Sequence, residues 1–320
     1  MTWLGTDIDG PIVAARALHL GAAAVTAGGL IFREAVAEPA LRCRREASAS
    51  IGSQIRWLAW TGLPIVVVSG FIWAVLLTEQ LSDEGFGEAV TSGALRDVMT
   101  LTQFGIVMQV RLGVAIVLAI GLAFDRSAWG RWLGLGAALG LTASVAWTGH
   151  AGSTPHALGY LHLAADALHS CAAAAWVGGL PPLALLLRAC SPNQPIAAVP
   201  LELEAVRRFS MLGIASVATL ILSGIINTWI LVGSWRGLIT NAYGWLLMMK
   251  LAVFAVMLMF AAVNRTVLTP GLALPPGSEA QGRTVHRLMR NTVVEFVLGL
   301  LVLAIVGMLG TLHPAAHLVN

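Results

Sequence analysis

Histidines are the residues of this chain best suited to chemistry, and it has eight of them. A neutral imidazole offers one lone pair to a metal ion and one N–H to an acceptor. His162, Asp166 and His169 are spaced i, i+4 and i+7, which places all three on one face of a helix. His162 and His169 are then about 10 Å apart along the axis, too far to grip one ion easily. The spacing suits a ladder of metal sites, or a single site in which Asp166 orients an imidazole. It also suits hydrogen bonds to neighbouring helices. His150 and His156 bracket the glycine-rich stretch Gly149-His-Ala-Gly-Ser-Thr-Pro-His156, His19 lies near the start, and His313 and His317 near the end. Imidazole serves copper, zinc, nickel and iron alike. Methionine adds a soft ligand for monovalent copper, and Met308 is the best placed, although methionine also simply fills gaps. Cys43, Cys171 and Cys190 form no CxxC or zinc spacing and predict no disulfide framework.

What positions these residues is a set of apolar helices. The chain is 57% hydrophobic and 11% charged, with a mean hydropathy of +0.80, whereas a soluble domain carries about 25% charged residues. Apolar runs long enough to span a bilayer occur at 12–32, 55–77, 101–124, 131–149, 158–187, 209–233, 243–263 and 291–312. In lipid they must be helical, because no water satisfies an open strand edge. The expected fold is therefore all-α, a polytopic bundle of eight transmembrane helices forming a single integral-membrane domain over 1–320. Gly178, Gly179, Pro181 and Pro182 predict a kink in the fifth span. The stretches 33–54, 78–100, 188–208 and 264–290 read as loops. No repeat is convincing enough to define an inverted pair. The acidic start predicts no cleavable signal peptide.

Charge sets the orientation. Arg33, Arg42, Arg44, Arg45 and Arg56, then Arg126 and Arg131, then Arg188, Arg207 and Arg208, then Arg265, Arg283, Arg287 and Arg290 flank alternate connections. Positive residues stay in the cytoplasm, so both termini are expected on the periplasmic side, with the acidic 79–97 loop. Only His286 is then cytoplasmic. His150, His156, His313 and His317 sit at the outer mouth, His162 within about one turn of the outer surface, and His19 and His169 about 10–17 Å below it. Arg111, Lys250 and Glu295 are charges inside spans, and each needs a partner in the bundle interior. Asp166 could serve Arg111 or Lys250, or act on a metal. Glu295 and Asn227 either line a path toward the cytoplasm or join helices by hydrogen bonds.

Several stretches resemble the CopD/PcoD copper-resistance family. They are Arg207-Arg-Phe-Ser-Met-Leu-Gly-Ile-Ala-Ser-Val217, Ser223-Gly-Ile-Ile-Asn-Thr-Trp229, Tyr243-Gly-Trp-Leu-Leu-Met-Met-Lys-Leu251 and the pair Asn264-Arg265. Thr148-Gly-His-Ala151, His169-Ser-Cys-Ala-Ala-Ala-Ala-Trp-Val-Gly-Gly-Leu180, the first span with Arg16 and His19, and Gly310-Thr-Leu-His-Pro-Ala315 are similar too. The resemblance covers nearly the whole chain through the order and spacing of its pieces. It implies an inner-membrane protein that handles copper from the periplasmic side, with a periplasmic copper-binding protein as a potential partner beside the bilayer. Two other readings stay open. His19 and His169, at similar depth, would suit a b-type haem, and the chain would suit a non-transporting assembly partner in copper loading. The basic residues follow topology and give no reason to expect nucleic acid. No nucleotide loop, HExxH or nucleophile elbow is present, so no enzymatic chemistry is expected.

Overall fold

The computed structural model describes residues 2–3, 6–7, 9–41, 45–82, 85–189, 199–275 and 278–313. Apart from a short antiparallel pairing of Thr2–Trp3 with Thr6–Asp7, every described element is helical. The principal helices are α1 (Gly10–Phe32), α2 (Arg45–Ser82), α3 (Gln103–Ala123), α4 (Ala128–Ala143), α5 (His156–Val177), α6 (Leu180–Ala189), α7 (Val199–Val232), α8 (Ala242–Val263) and α9 (Glu279–Leu309). The protein is an all-α, polytopic membrane bundle. Seven helical stretches among the described residues are long and apolar enough to cross a membrane: α1 with its extension to Leu41, α2, α3, α5 with α6, α7, α8 and α9.

The expected span 131–149 takes a different form. After the sixteen residues of α4 the chain tightens into 3-10 turns at Ser144–Thr148 and His150–Ser153. The cause is visible in the hydrogen bonds. The Leu141 carbonyl, at the end of the α-helical ladder, accepts from Arg111 Nη1 at 2.7 Å. At the usual rises, α4 covers about 24 Å and the 3-10 turn to Thr148 about 10 Å.

The long loops expected from sequence are largely helical where they are described. Residues 33–37 form a π-turn that continues α1 into a short helix at Glu38–Leu41. Short helices at Phe86–Thr91 and Ala94–Leu101 fill the 78–100 connection, and α2, α7 and α9 begin well before their apolar runs. Val36, Ala40, Leu41 and Ile51 are buried in the main core, which is why these stretches fold back onto the bundle. The predicted kink is present. Helix α5 ends at Val177, a turn occupies Gly178 and Gly179, and α6 starts with its prolines in the first turn, where a missing N–H costs nothing.

Helix α1 packs against α2, α4, α5 and α9, so it is the central helix. Its crossing with α5 is backbone on backbone. A Cβ added to Gly28 would lie 2.1 Å from the Ala174 carbonyl oxygen, and one added to Gly178 would lie 1.9 Å from that of Ala24. The two contacts mirror each other because the two helices share a sequence. Ala14-Ala-Arg-Ala-Leu-His19 and Gly28-Gly-Leu30 recur, at identical spacing, as Ala164-Ala-Asp-Ala-Leu-His169 and Gly178-Gly-Leu180. The bundle thus has a local pseudo-two-fold axis through this crossing. A parallel repeat escapes a search for an inverted one.

A methyl group at position 178 has nowhere to go. Gly178→Ala is expected to destabilise the detergent-solubilised protein by about 1–3 kcal/mol. Gly136→Ala, whose added carbon meets nothing within 4 Å, should be neutral or slightly stabilising. Thermal unfolding of the two variants against the parent checks both.

Candidate functional site

The repeat reaches beyond α1 and α5. In α2, Ser69-Gly70 lies against His19, and in α7, Ser223-Gly224 lies against His169. In α3, Phe104-Gly105 precedes Arg111 by the same interval at which Tyr243-Gly244 precedes Lys250 in α8. Thr102 and Asn241 cap those two helices, each accepting from the glycine N–H.

These correspondences build two equivalent polar stations. In the first, His19 Nδ1–H donates to the Val66 carbonyl at 3.0 Å, with Ser69 Oγ at 3.1 Å. Ser69 in turn donates to the Ile65 carbonyl at 2.5 Å. With Nδ1 protonated, the Nε2 lone pair accepts from Arg111 Nη2 at 2.5 Å. In the second station, Ser223 donates to the Thr219 carbonyl at 2.5 Å, so its oxygen accepts from His169 Nδ1–H at 2.9 Å. The His169 Nε2 lone pair then faces Lys250 Nζ at 3.5 Å. In both stations an imidazole is anchored on one side by a serine and capped on the other by a cation.

The stations differ where Arg16 of α1 is matched by Asp166 of α5. Asp166 accepts from Asn227 Nδ2 at 3.1 Å and is the opposite charge facing Lys250. Of the two partners considered from sequence, Lys250 is therefore the neighbour of Asp166, while Arg111 binds His19, Leu141 and Ser144. No imidazole donates to Asp166 among the described residues; its amide donor is Asn227.

Above the second station lies a histidine pair. Thr154 Oγ1 is 2.7 Å from His162 Nδ1 and 3.2 Å from the His150 carbonyl. The hydroxyl has one proton; donated to the carbonyl, it leaves the oxygen to accept from His162 Nδ1–H. The His162 Nε2 lone pair is then available for a metal. The ring is 1% exposed. His150 is close enough to His162 to act on it electrostatically. Its own Nε2 approaches the Leu309 carbonyl at 3.4 Å, and its ring meets Tyr243 edge-on at 6.1 Å. Tyr243 also neighbours Asp166. Helix α5 therefore carries His162, Asp166 and His169 down one face, with Lys250 of α8 beside the last two.

The remaining expected site residues are spread out. His156, exposed at the start of α5, has a positive φ of 63°, a sparsely populated conformation for a non-glycine residue. His313 is exposed, and His317 lies outside the described residues. Met308 packs in the apolar cluster with Tyr243 and Leu309. Glu295 accepts from Asn264 Nδ2 at 2.5 Å and neighbours the Trp176 indole N–H, while Asn291 donates to Asn264 at 2.9 Å, so this carboxylate ties α5, α8 and α9 together. No group of three metal-capable side chains is gathered among the described residues. His19 and His169, the pair considered for haem, each have Nε2 beside a cation supplied by a separate helix, Arg111 and Lys250. The serine anchors and the cation caps escaped the sequence reading; the recurring Ala-Leu-His and Gly-Gly-Leu segments were the signal for them.

Comparison with known proteins decides the family. Residues 203–309 match the model described as Copper resistance protein D, and residues 7–160 that of Copper resistance protein D-like, N-terminal domain. Copper resistance protein D of Pseudomonas syringae pv. tomato is 30% identical over 262 residues, 80% of this chain and 82% of that protein. The chain belongs to the copper resistance protein D family. Copper transport protein CutJ of Bacillus subtilis (strain 168) is 30% identical over 188 residues, 56% of this chain but only 34% of that protein. Inner membrane protein YebZ of Escherichia coli (strain K12) is 29% identical over 170 residues, 53% of this chain and 55% of that protein. No solved structure matches. In this copper resistance protein D family member, α5 begins where the first matched segment ends, so the histidine column falls mainly between the two.

The second station yields a direct test. A double-mutant cycle on Asp166→Asn and Lys250→Met, read by unfolding in detergent, is expected to give a favourable coupling of about 0.5–3 kcal/mol. Independent charges would give none.

Proposed function

We propose that this multi-pass membrane protein takes copper from the periplasmic side of the bacterial inner membrane into a column on α5. His150 and His162 are the capture ligands, and the Asp166–Lys250–His169 station receives the ion below them. The proposal rests on the usual topology rule: the arginine-rich ends stay cytoplasmic, both termini face the periplasm, and eight segments cross with α4 and its 3-10 turn as the fourth. The observation that carries it is the 2.7 Å contact between Thr154 Oγ1 and His162 Nδ1. Thr154 engages Nδ1 and leaves Nε2 as the nitrogen open to a metal, and His150 is close enough to act on the ring electrostatically. A ligand imidazole is ordinarily oriented in this way by a bond at its other nitrogen.

Two imidazoles make an incomplete shell, so a captured ion needs a further donor. His156 and His313 at the same end are the nearest by type, with His317 beyond them in sequence. Lys250 makes the lower site competitive. A metal at His169 Nε2 must displace the tethered ammonium, which then has Asp166 to pair with. That exchange keeps charge balanced as a cation enters a low-dielectric interior. His19 comes last in this scheme, since its lone pair is held by Arg111 and, among the described residues, no carboxylate lies nearby to receive the guanidinium. The acidic 79–97 segment would raise the local cation concentration at the mouth.

Protein purified in mild detergent after growth with copper is expected to carry copper and to show no Soret band. The double substitution His150→Ala with His162→Ala should remove that copper. A stoichiometric Soret band with little copper would overturn the reading in favour of haem. Thr154→Val, which frees the His162 ring without removing a ligand, should weaken copper binding about 10–100-fold in a competition titration.

A further inference from the structure

Arg16 and Arg111 are two cations inside the membrane-spanning region with no carboxylate against either among the described residues. This is unusual within the protein itself. Arg33, at 3% exposure like Arg111, has Glu34 at 3.0 Å and Asp125 at 2.5 Å, whereas Arg16 is half-buried. Arg131 likewise has Glu38 at 3.3 Å. The two unpaired guanidinium groups share one neighbourhood. Arg111 Nη2 caps His19, Arg16 lies 4.6 Å over the Trp73 ring, and Trp73 meets His19 edge-on at 5.8 Å. Both cations act on His19.

Their hydrogen bonds are also incomplete. Arg111 Nη1 is used by the Leu141 carbonyl and Ser144, and Nη2 by His19. The Nε–H groups of Arg111 and of Arg16 are both buried and both lack an acceptor. A water molecule would satisfy a donor but would leave the net charge uncompensated, and an uncompensated charge at membrane depth is costly. The second station shows what is missing. There the position of Arg16 is held by Asp166, which balances Lys250. The first station has a second cation in place of that carboxylate.

We infer that Arg16 and Arg111 hold a small monovalent anion of the halide class between their Nε–H groups, beside Trp73 and His19. The anion replaces the carboxylate that the first repeat lacks. The fully buried donors left over are the Nε–H groups, one from each arginine, and no hydrogen bond engages Arg16 Nη1 or Nη2 among the described residues, so the number of donors does not choose the anion and the apolar surroundings do. The flanking residues Ile12, Ala15, Trp73 and Met108 are apolar and favour a weakly hydrated ion. Gly310 belongs to the site as well. A Cβ there would fall on the Arg16 guanidinium, so glycine alone leaves room for it.

The test uses the full-length protein in detergent, with chloride exchanged for gluconate at constant ionic strength so that screening is unchanged. Chloride is expected to raise the unfolding temperature saturably, and bromide to give an anomalous diffraction peak between the two guanidinium groups. Arg111→Gln should abolish the saturable shift. Because that variant also loses the His19 cap, the deciding variant is Arg16→Asp, which installs the charge arrangement of the second station. It should fold, lose at least about tenfold in apparent chloride affinity, and be more stable than the parent in gluconate. Saturable chloride stabilisation that persists in Arg16→Asp, or no chloride dependence in the parent, would overturn the inference. Stabilisation by anionic lipid vesicles in place of chloride would overturn it too, assigning the site to a headgroup. Copper retention at His150 and His162 is read separately in Arg16→Asp and does not depend on the anion.

Discussion

Everything in this bundle hangs on the place where α1 and α5 touch without side chains between them. Gly28 lies against the Ala174 carbonyl and Gly178 against that of Ala24, so the two helices approach as closely as backbones can. In lipid there is little hydrophobic force between helices, and small residues that permit such contact supply packing instead. This crossing makes α1 the innermost helix. It thereby buries His19 and Arg33 and brings Arg16 under cover, at a depth where each must find a partner within the protein.

The same crossing explains why polar chemistry comes in two copies. Each half carries a helix with Ala-Leu-His followed by Gly-Gly-Leu, a second helix with Ser-Gly, and a third with a cation one and a half turns beyond a glycine. Folded alike, these pieces give the same hydrogen bonds down to the serine and its backbone acceptors. Within the two stations the charge differs at one position. Asp166 balances one station, and Arg16 adds to the positive charge of the other. The proposed copper path therefore uses the second station before the first, because Asp166 supplies there the negative charge that Arg16 does not.

At the end where α5 begins, the first repeat contributes to the second. His150 follows α4 yet reaches Tyr243 of α8 and the Leu309 carbonyl of α9. Its approach to His162 depends on the 3-10 tightening after Ala143, which in turn is stabilised by Arg111 taking the Leu141 carbonyl. One arginine thus both caps His19 of its own repeat and bonds the start of the turn that leads to His150.

By itself the sequence determined the membrane class, the positions of the apolar runs, the break after Val177 and the family, because lipid solvation and helix breakers act locally on composition. It also placed His162, Asp166 and His169 on one face, since helical periodicity needs nothing beyond spacing. Partnership was another matter. Whether Asp166 met Arg111 or Lys250, whether Glu295 lined a path or joined helices, and whether His19 and His169 faced each other all depended on rotations of helices far apart in the chain. The Gly28–Gly178 crossing fixed those rotations. Only the tertiary structure could decide them, because a buried charge in lipid is defined by what the neighbouring helix presents to it.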